Sequence, residues 1–198
     1  VEALPLENKS GAMCLLHSFF SWGQIFVVLF ATLFFNLFSI EYWAFLPILL
    51  AVIPVANSFL FAKCPIEKLE ADNDPTPYKK IFKMRGFLIF LILIAMARAA
   101  EQAIAQWASY FAEVSLGISN KTTGDLLGAC LFALGMAISR TAYGFLGDKM
   151  NLKLAIAFCA ALLTGAYLLA SLSPIPYLSL AGIALSGLFV GIMWPGIY

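Results

Sequence analysis

The chain has 198 residues, of which 62% are hydrophobic and 12% charged, roughly half the charged share of an ordinary soluble domain. So much apolar side chain cannot be hidden inside so small a globule without leaving large exposed patches, which excludes water as the intended solvent and makes a lipid bilayer the partner. The net charge of +1 gives no basis for nucleic acid as a partner, and the scattered cysteines Cys14, Cys64, Cys130 and Cys159 form neither a disulfide framework nor a C-x-x-C metal spacing.

A hydrocarbon core of ~30 Å requires about 20 apolar residues per crossing helix. Six such stretches are predicted, at 10–38, 42–62, 86–112, 123–146, 153–172 and 175–198. Only helices satisfy every backbone donor and acceptor within one segment in lipid, and the alternation of barrel strands is absent, so the predicted fold class is all-α integral membrane. The chain starts at Val1 without Met and stops in an apolar run at Gly196, Ile197 and Tyr198, so it reads as a piece of a longer protein.

The first span carries a polar stripe, with Ser10, Cys14, His17, Ser21, Gln24 and Thr32 within ~80° of one another on a helical projection. His17, the sole histidine, is a candidate proton carrier or a hydrogen-bonded packing residue, and it lacks the company a metal site requires. Ser39, Ile40 and Glu41 separate the first two spans, and connections this tight imply antiparallel neighbours.

From 63 to 85 the chain is polar and holds Pro65, Pro75 and Pro77 with Lys63, Lys68, Lys79, Lys80, Lys83 and Arg85. This is the candidate inter-domain linker, dividing the chain into 1–62, 63–85 and 86–198. By the positive-inside rule the linker faces the cytoplasm, and two further crossings return the chain to that side at the loop 147–152, beside Lys149 and Lys153. The loops around Glu41 and Ser173 contain no Lys or Arg, and Lys121 alone departs from the pattern.

The third span holds the strongest candidates for chemistry. Arg98, Glu101, Gln102, Ala105, Gln106, Ser109 and Glu113 share a stripe of ~140°, and intramembrane ionisable groups are costly enough to mark function. Arg98 and Glu101, three residues apart near mid-span, can neutralise one another as a structural ion pair or line a cavity where Glu101 takes a proton or a solute hydroxyl. Trp107 lies on the opposite side and reads as packing. The fifth span, with Cys159, Thr164, Tyr167 and Ser171, suits a supporting helix that contributes little to a site. In the sixth, Gly182, Ser186, Gly187 and Gly191 precede Trp194 and Pro195, which allows close packing, or a bend at the cavity.

The segment 139–153, S-R-T-A-Y-G-F-L-G-D-K-M-N-L-K, resembles the loop signature G-x-x-x-D-[RK]-x-G-[RK]-[RK] of the major facilitator superfamily. Gly144, Asp148 and Lys149 match, Arg140 sits one turn upstream, and Lys153 supplies the trailing base, while Asn151 replaces the second glycine and Leu152 a base. A carboxylate and basic groups at a helix end can form a lock that breaks between two states. An ordinary loop with Asp148 as a cap is the alternative. The segments 135–140, G-x-x-x-x-R, and 101–107, E-Q-x-x-x-x-W, resemble sugar and fucose permease-like members.

The resemblance implies two six-helix halves rocking about a midplane site, with this chain running from before the family's fifth helix to its tenth, in the plasma (cytoplasmic) membrane. The remaining helices of the full-length transporter would be its partners, four before and two after. Arg98, Glu101, Gln102 and Gln106, with His17 and Gln24, would line a site for a small polar solute such as a sugar, moved with protons. Arg140, Gly144, Asp148 and Lys149 would form the cytoplasmic gate. No cofactor or catalytic residue is implied. A channel or a non-transporting helical scaffold is the alternative, and an intramembrane enzyme is disfavoured because neither H-E-x-x-H nor G-x-S-x-G occurs.

Overall fold

The computed structural model describes residues 9–65, 77–118, 121–146 and 150–197. Among them no strand occurs. Helices α1 (Lys9–Leu37) and α2 (Phe45–Lys63) are joined through a 3-10 turn at Ile40–Tyr42. A short α3 (Tyr78–Lys83) precedes α4 (Arg85–Tyr110), whose end widens into a π-helical segment, Phe111–Ser115. Then α5 (Lys121–Gly124) leads through a second π-helical segment, Asp125–Cys130, into α6 (Leu131–Leu146). Helices α7 (Leu152–Leu172), α8 (Pro176–Val190) and α9 (Met193–Ile197) follow.

The described residues contain six helices long and apolar enough to cross a membrane: Gly11–Leu37, Phe45–Lys63, Arg85–Ser115, Thr122–Leu146, Leu152–Leu172 and Pro176–Ile197. The expected all-α class and the number of spans are therefore as read from the sequence, with ends displaced by a few residues. The starts have local causes. Asn151 caps α7 by accepting a hydrogen bond from the Leu154 amide at 3.3 Å, and Pro176 occupies the first turn of α8, where a missing N–H costs nothing.

The centre of the bundle is α6, against which α1 packs on one side and α8 on another, while α7 packs on α8. Phe132 and Met136 of α6, Leu163 of α7 and Ile183 and Val190 of α8 form its apolar core. In lipid the hydrophobic effect does not draw helices together, so close backbone approach has to do so. Gly187 shows this directly: a Cβ there would lie 2.1 Å from the Phe132 carbonyl oxygen, so the two helices meet backbone to backbone.

One expectation is corrected. The tight first connection does not make α1 and α2 packed neighbours: α2 buries no residue, and α1 spends its contacts on α6. The reason lies in the side chains, because α1 has a polar stripe that needs partners, whereas α2 offers only Asn57 and Ser58 before its terminal Lys63, and Ser58 donates to the Pro54 carbonyl of its own helix. Within the segment 63–85, Tyr78–Lys83 is helical immediately after Pro77. In that segment 66–76 lie outside the described residues, as do Asp148 and Lys149 of the loop signature.

Candidate functional site

The site begins with a backbone deficit. In an α-helix the carbonyl of residue 191 accepts from the amide of residue 195, and here residue 195 is Pro195, which has no N–H. Helix α8 stops at Val190, and α9 resumes at Met193, with the Gly191 amide on the Gly187 carbonyl at 3.2 Å and the Gly196 amide on the Ile192 carbonyl at 2.9 Å. The Gly191 carbonyl is thus left in a buried position without its helical partner. Arg140 of α6 supplies one: its Nε donates to that oxygen at 3.1 Å.

The rest of the Arg140 guanidinium is equally occupied. Nη1 donates to Ser21 Oγ at 2.9 Å and to the His17 carbonyl at 3.4 Å, both on α1. Nη2 donates to Glu101 Oε2 on α4 at 2.8 Å. The side chains of Arg140 and Glu101 are each only 2% exposed. One residue therefore ties α1, α4, α6 and the α8–α9 break together through charge-assisted bonds.

The other oxygen of Glu101, Oε1, accepts from Arg98 Nη1 at 2.7 Å, the i,i+3 pair expected from the sequence. Arg98 is unlike Arg140 in that 43% of its side chain is exposed. Its guanidinium lies within cation–π range of Phe20, at 5.7 Å, and Trp194, at 6.0 Å; that of Arg140 is also 5.7 Å from the Phe20 ring. His17, Phe20, Arg98, Arg140 and Trp194 line a cavity of about 250 Å³.

The sequence-derived candidates separate into groups. Arg98, Glu101 and His17 are brought together, and Arg140, expected at the gate, is found with them. Gln102 and Gln106 are exposed on α4, Gln102 one helical turn after the half-exposed Arg98 on the same stripe. Gln24 is half-buried on α1, and its Oε1 is buried without a hydrogen-bond partner among the described residues. Gly144 packs against α1, where a Cβ would come within 2.5 Å of Leu15 Cγ.

Trp107, read as packing, is 58% exposed, its ring edge-on to Tyr110. Tyr167 of α7 donates its hydroxyl to the Ala100 carbonyl, one residue before Glu101, so the supporting helix does touch the backbone of the site.

Ser21, Phe20, Gly191 and Trp194 were not singled out as site residues. Charge balance could have found the link from α6: Arg140 lies within a span, an intramembrane arginine needs a counter-charge, and Glu101 is the mid-span carboxylate. The missing amide of Pro195 could have found the rest, since it orphans a nameable carbonyl.

These features define a polytopic helical membrane protein whose spans are joined by a buried charge centre beside a cavity. The family model described as Major Facilitator Superfamily matches residues 1–198, and the chain belongs to that superfamily, whose members are membrane transporters and not enzymes. No curated protein matches the chain, and no solved structure does.

Proposed function

We propose that this chain is the central part of a secondary active transporter that moves a small polar solute, of the size of a sugar, together with protons by alternating access. The observation that supports it most is the Glu101 centre. A buried carboxylate shared by arginines on two helices, beside the cavity lined by His17, Phe20, Arg98, Arg140 and Trp194, supports a reading with two states, because each bond can be exchanged for one to a solute or a proton. In this reading Arg98, Glu101 and His17 line the solute path, with Gln24, Gln102 and Gln106 further along it. The segment 1–62 ends one half of the transporter, 63–85 links the halves on the cytoplasmic side of the plasma membrane, and 86–198 begins the other half. Gly144, Asp148 and Lys149 form the cytoplasmic gate, with Arg140 joining it to the solute site.

The test is uptake by the full-length gene product in proteoliposomes carrying an imposed pH gradient, with Glu101→Gln alongside. Gradient-driven uptake that disappears in a folded Glu101→Gln protein is the expected result. Uptake that persists unchanged removes Glu101 from the mechanism, and a passive, non-saturating flux would make the protein a channel.

A further inference from the structure

We propose that the solute carries a carboxylate and that Arg98 binds it. The inference rests on the transporter reading and narrows its solute from a polar molecule to an organic anion.

The argument starts from a count of charge. Around the cavity the described residues place two guanidiniums, Arg98 and Arg140, and one carboxylate, Glu101, each oxygen of which is already engaged by one arginine. With His17 counted as neutral, one positive charge is left over among these residues. Within a membrane span such an excess is costly, and a neutral solute does nothing to relieve it, whereas a monoanion cancels it.

The excess falls on Arg98 and not on Arg140. Each nitrogen of the Arg140 guanidinium is committed, to Gly191, His17, Ser21 and Glu101, and its side chain is sealed from solvent. Among the described residues Arg98 makes one side-chain hydrogen bond, to Glu101, and it exposes 43% of its side chain. A guanidinium this exposed on a membrane span faces a cavity and not lipid.

Phe20 and Trp194 engage it by cation–π contact, which uses the flat face of the group. Its N–H donors lie in the plane and stay available at the edge. A carboxylate matches that edge with two parallel bonds, and its single charge matches the single excess. A phosphate monoester, mostly a dianion at pH 7, would overshoot. The two rings then form apolar walls for the rest of the molecule, and a volume of about 250 Å³ admits a body the size of a sugar acid or an aromatic acid.

The experiment is equilibrium dialysis of purified full-length protein against radiolabelled gluconate and benzoate at millimolar concentration. Their neutral counterparts, glucose and benzamide, are run beside them. We expect a carboxylate to bind where its neutral counterpart does not, with affinity falling by about tenfold or more in Arg98→Gln. Arg98→Lys, which keeps the charge and loses the planar fork, should fall between the two.

Neutral members binding as well as the acids, carboxylate affinity unmoved by Arg98→Gln, or no binding of either acid would each overturn the inference. Because the wild-type comparison of acid with neutral counterpart involves no variant, a misfolded Arg98→Gln protein leaves it decisive. Uptake of the same solutes into proteoliposomes separates the two layers. An acid that binds but is never transported sinks the transporter reading and keeps the site. A neutral solute transported equally well by wild type and Arg98→Gln keeps the transporter and sinks the anion.

Discussion

Arg140 shows how much a single side chain can be asked to do when its donors are matched one by one. It satisfies a carbonyl that Pro195 has orphaned, a serine and a backbone carbonyl on α1, and one oxygen of Glu101. Removing one partner of a buried pair leaves the other charge uncompensated, so Arg140→Met should cost about 3–5 kcal/mol, more than the net worth of the contact itself. Glu101→Gln should also destabilise, and the double variant should fall short of the sum by about 0.5–3 kcal/mol, since each change removes the same bond. Unfolding of the four proteins of this cycle in one detergent measures it. Strict additivity would mean that the two residues act on stability independently despite their 2.8 Å separation. The Arg98–Glu101 pair was legible from spacing alone, because three residues bring two side chains to one helix face. The Arg140–Glu101 pair was not, because nothing in one dimension says that residue 140 of α6 and residue 101 of α4 lie at the same depth.

The helices themselves were legible because length and hydropathy are local properties, and lipid enforces them segment by segment. Which helix packs on which was not. The short connection between α1 and α2 suggested a pair, yet α1 turned its polar stripe to α6, and α2 was left with no buried residue. Small residues explain the contacts that did form. Gly187 has no room for a Cβ against the Phe132 carbonyl, whereas Gly165 of α7 has nothing within 4 Å. Gly187→Ala should therefore force α6 and α8 apart at a cost of about 1–3 kcal/mol. Gly165→Ala should be neutral or stabilise by about 0.5–1 kcal/mol through the unfolded chain. Melting temperatures of the two variants decide the matter, and equal losses at both positions would contradict the close α6/α8 approach.

For the whole molecule, sidedness follows from charge and not from packing. If the basic segment 63–85 faces the cytoplasm, Cys64, exposed at the end of α2, faces it too. In a variant that keeps only Cys64, a membrane-impermeant maleimide should label inverted vesicles and spare right-side-out ones. Labelling from the outside would reverse the orientation. Cys14, buried between α1 and its neighbours, should resist the same reagent from both sides until the protein is unfolded.

By itself the amino-acid sequence determined the solvent, the six spans, the superfamily signature around Gly144 and the Arg98–Glu101 pair, because each depends on composition or on residues within a few turns of one another. Tertiary structure decided that Arg140 joins Glu101 and that the α8–α9 break meets α1 and α6 at one point. Those outcomes depend on the depth and rotation of separate helices. In a bilayer these are set by where small residues let backbones touch and where a buried charge finds its partner.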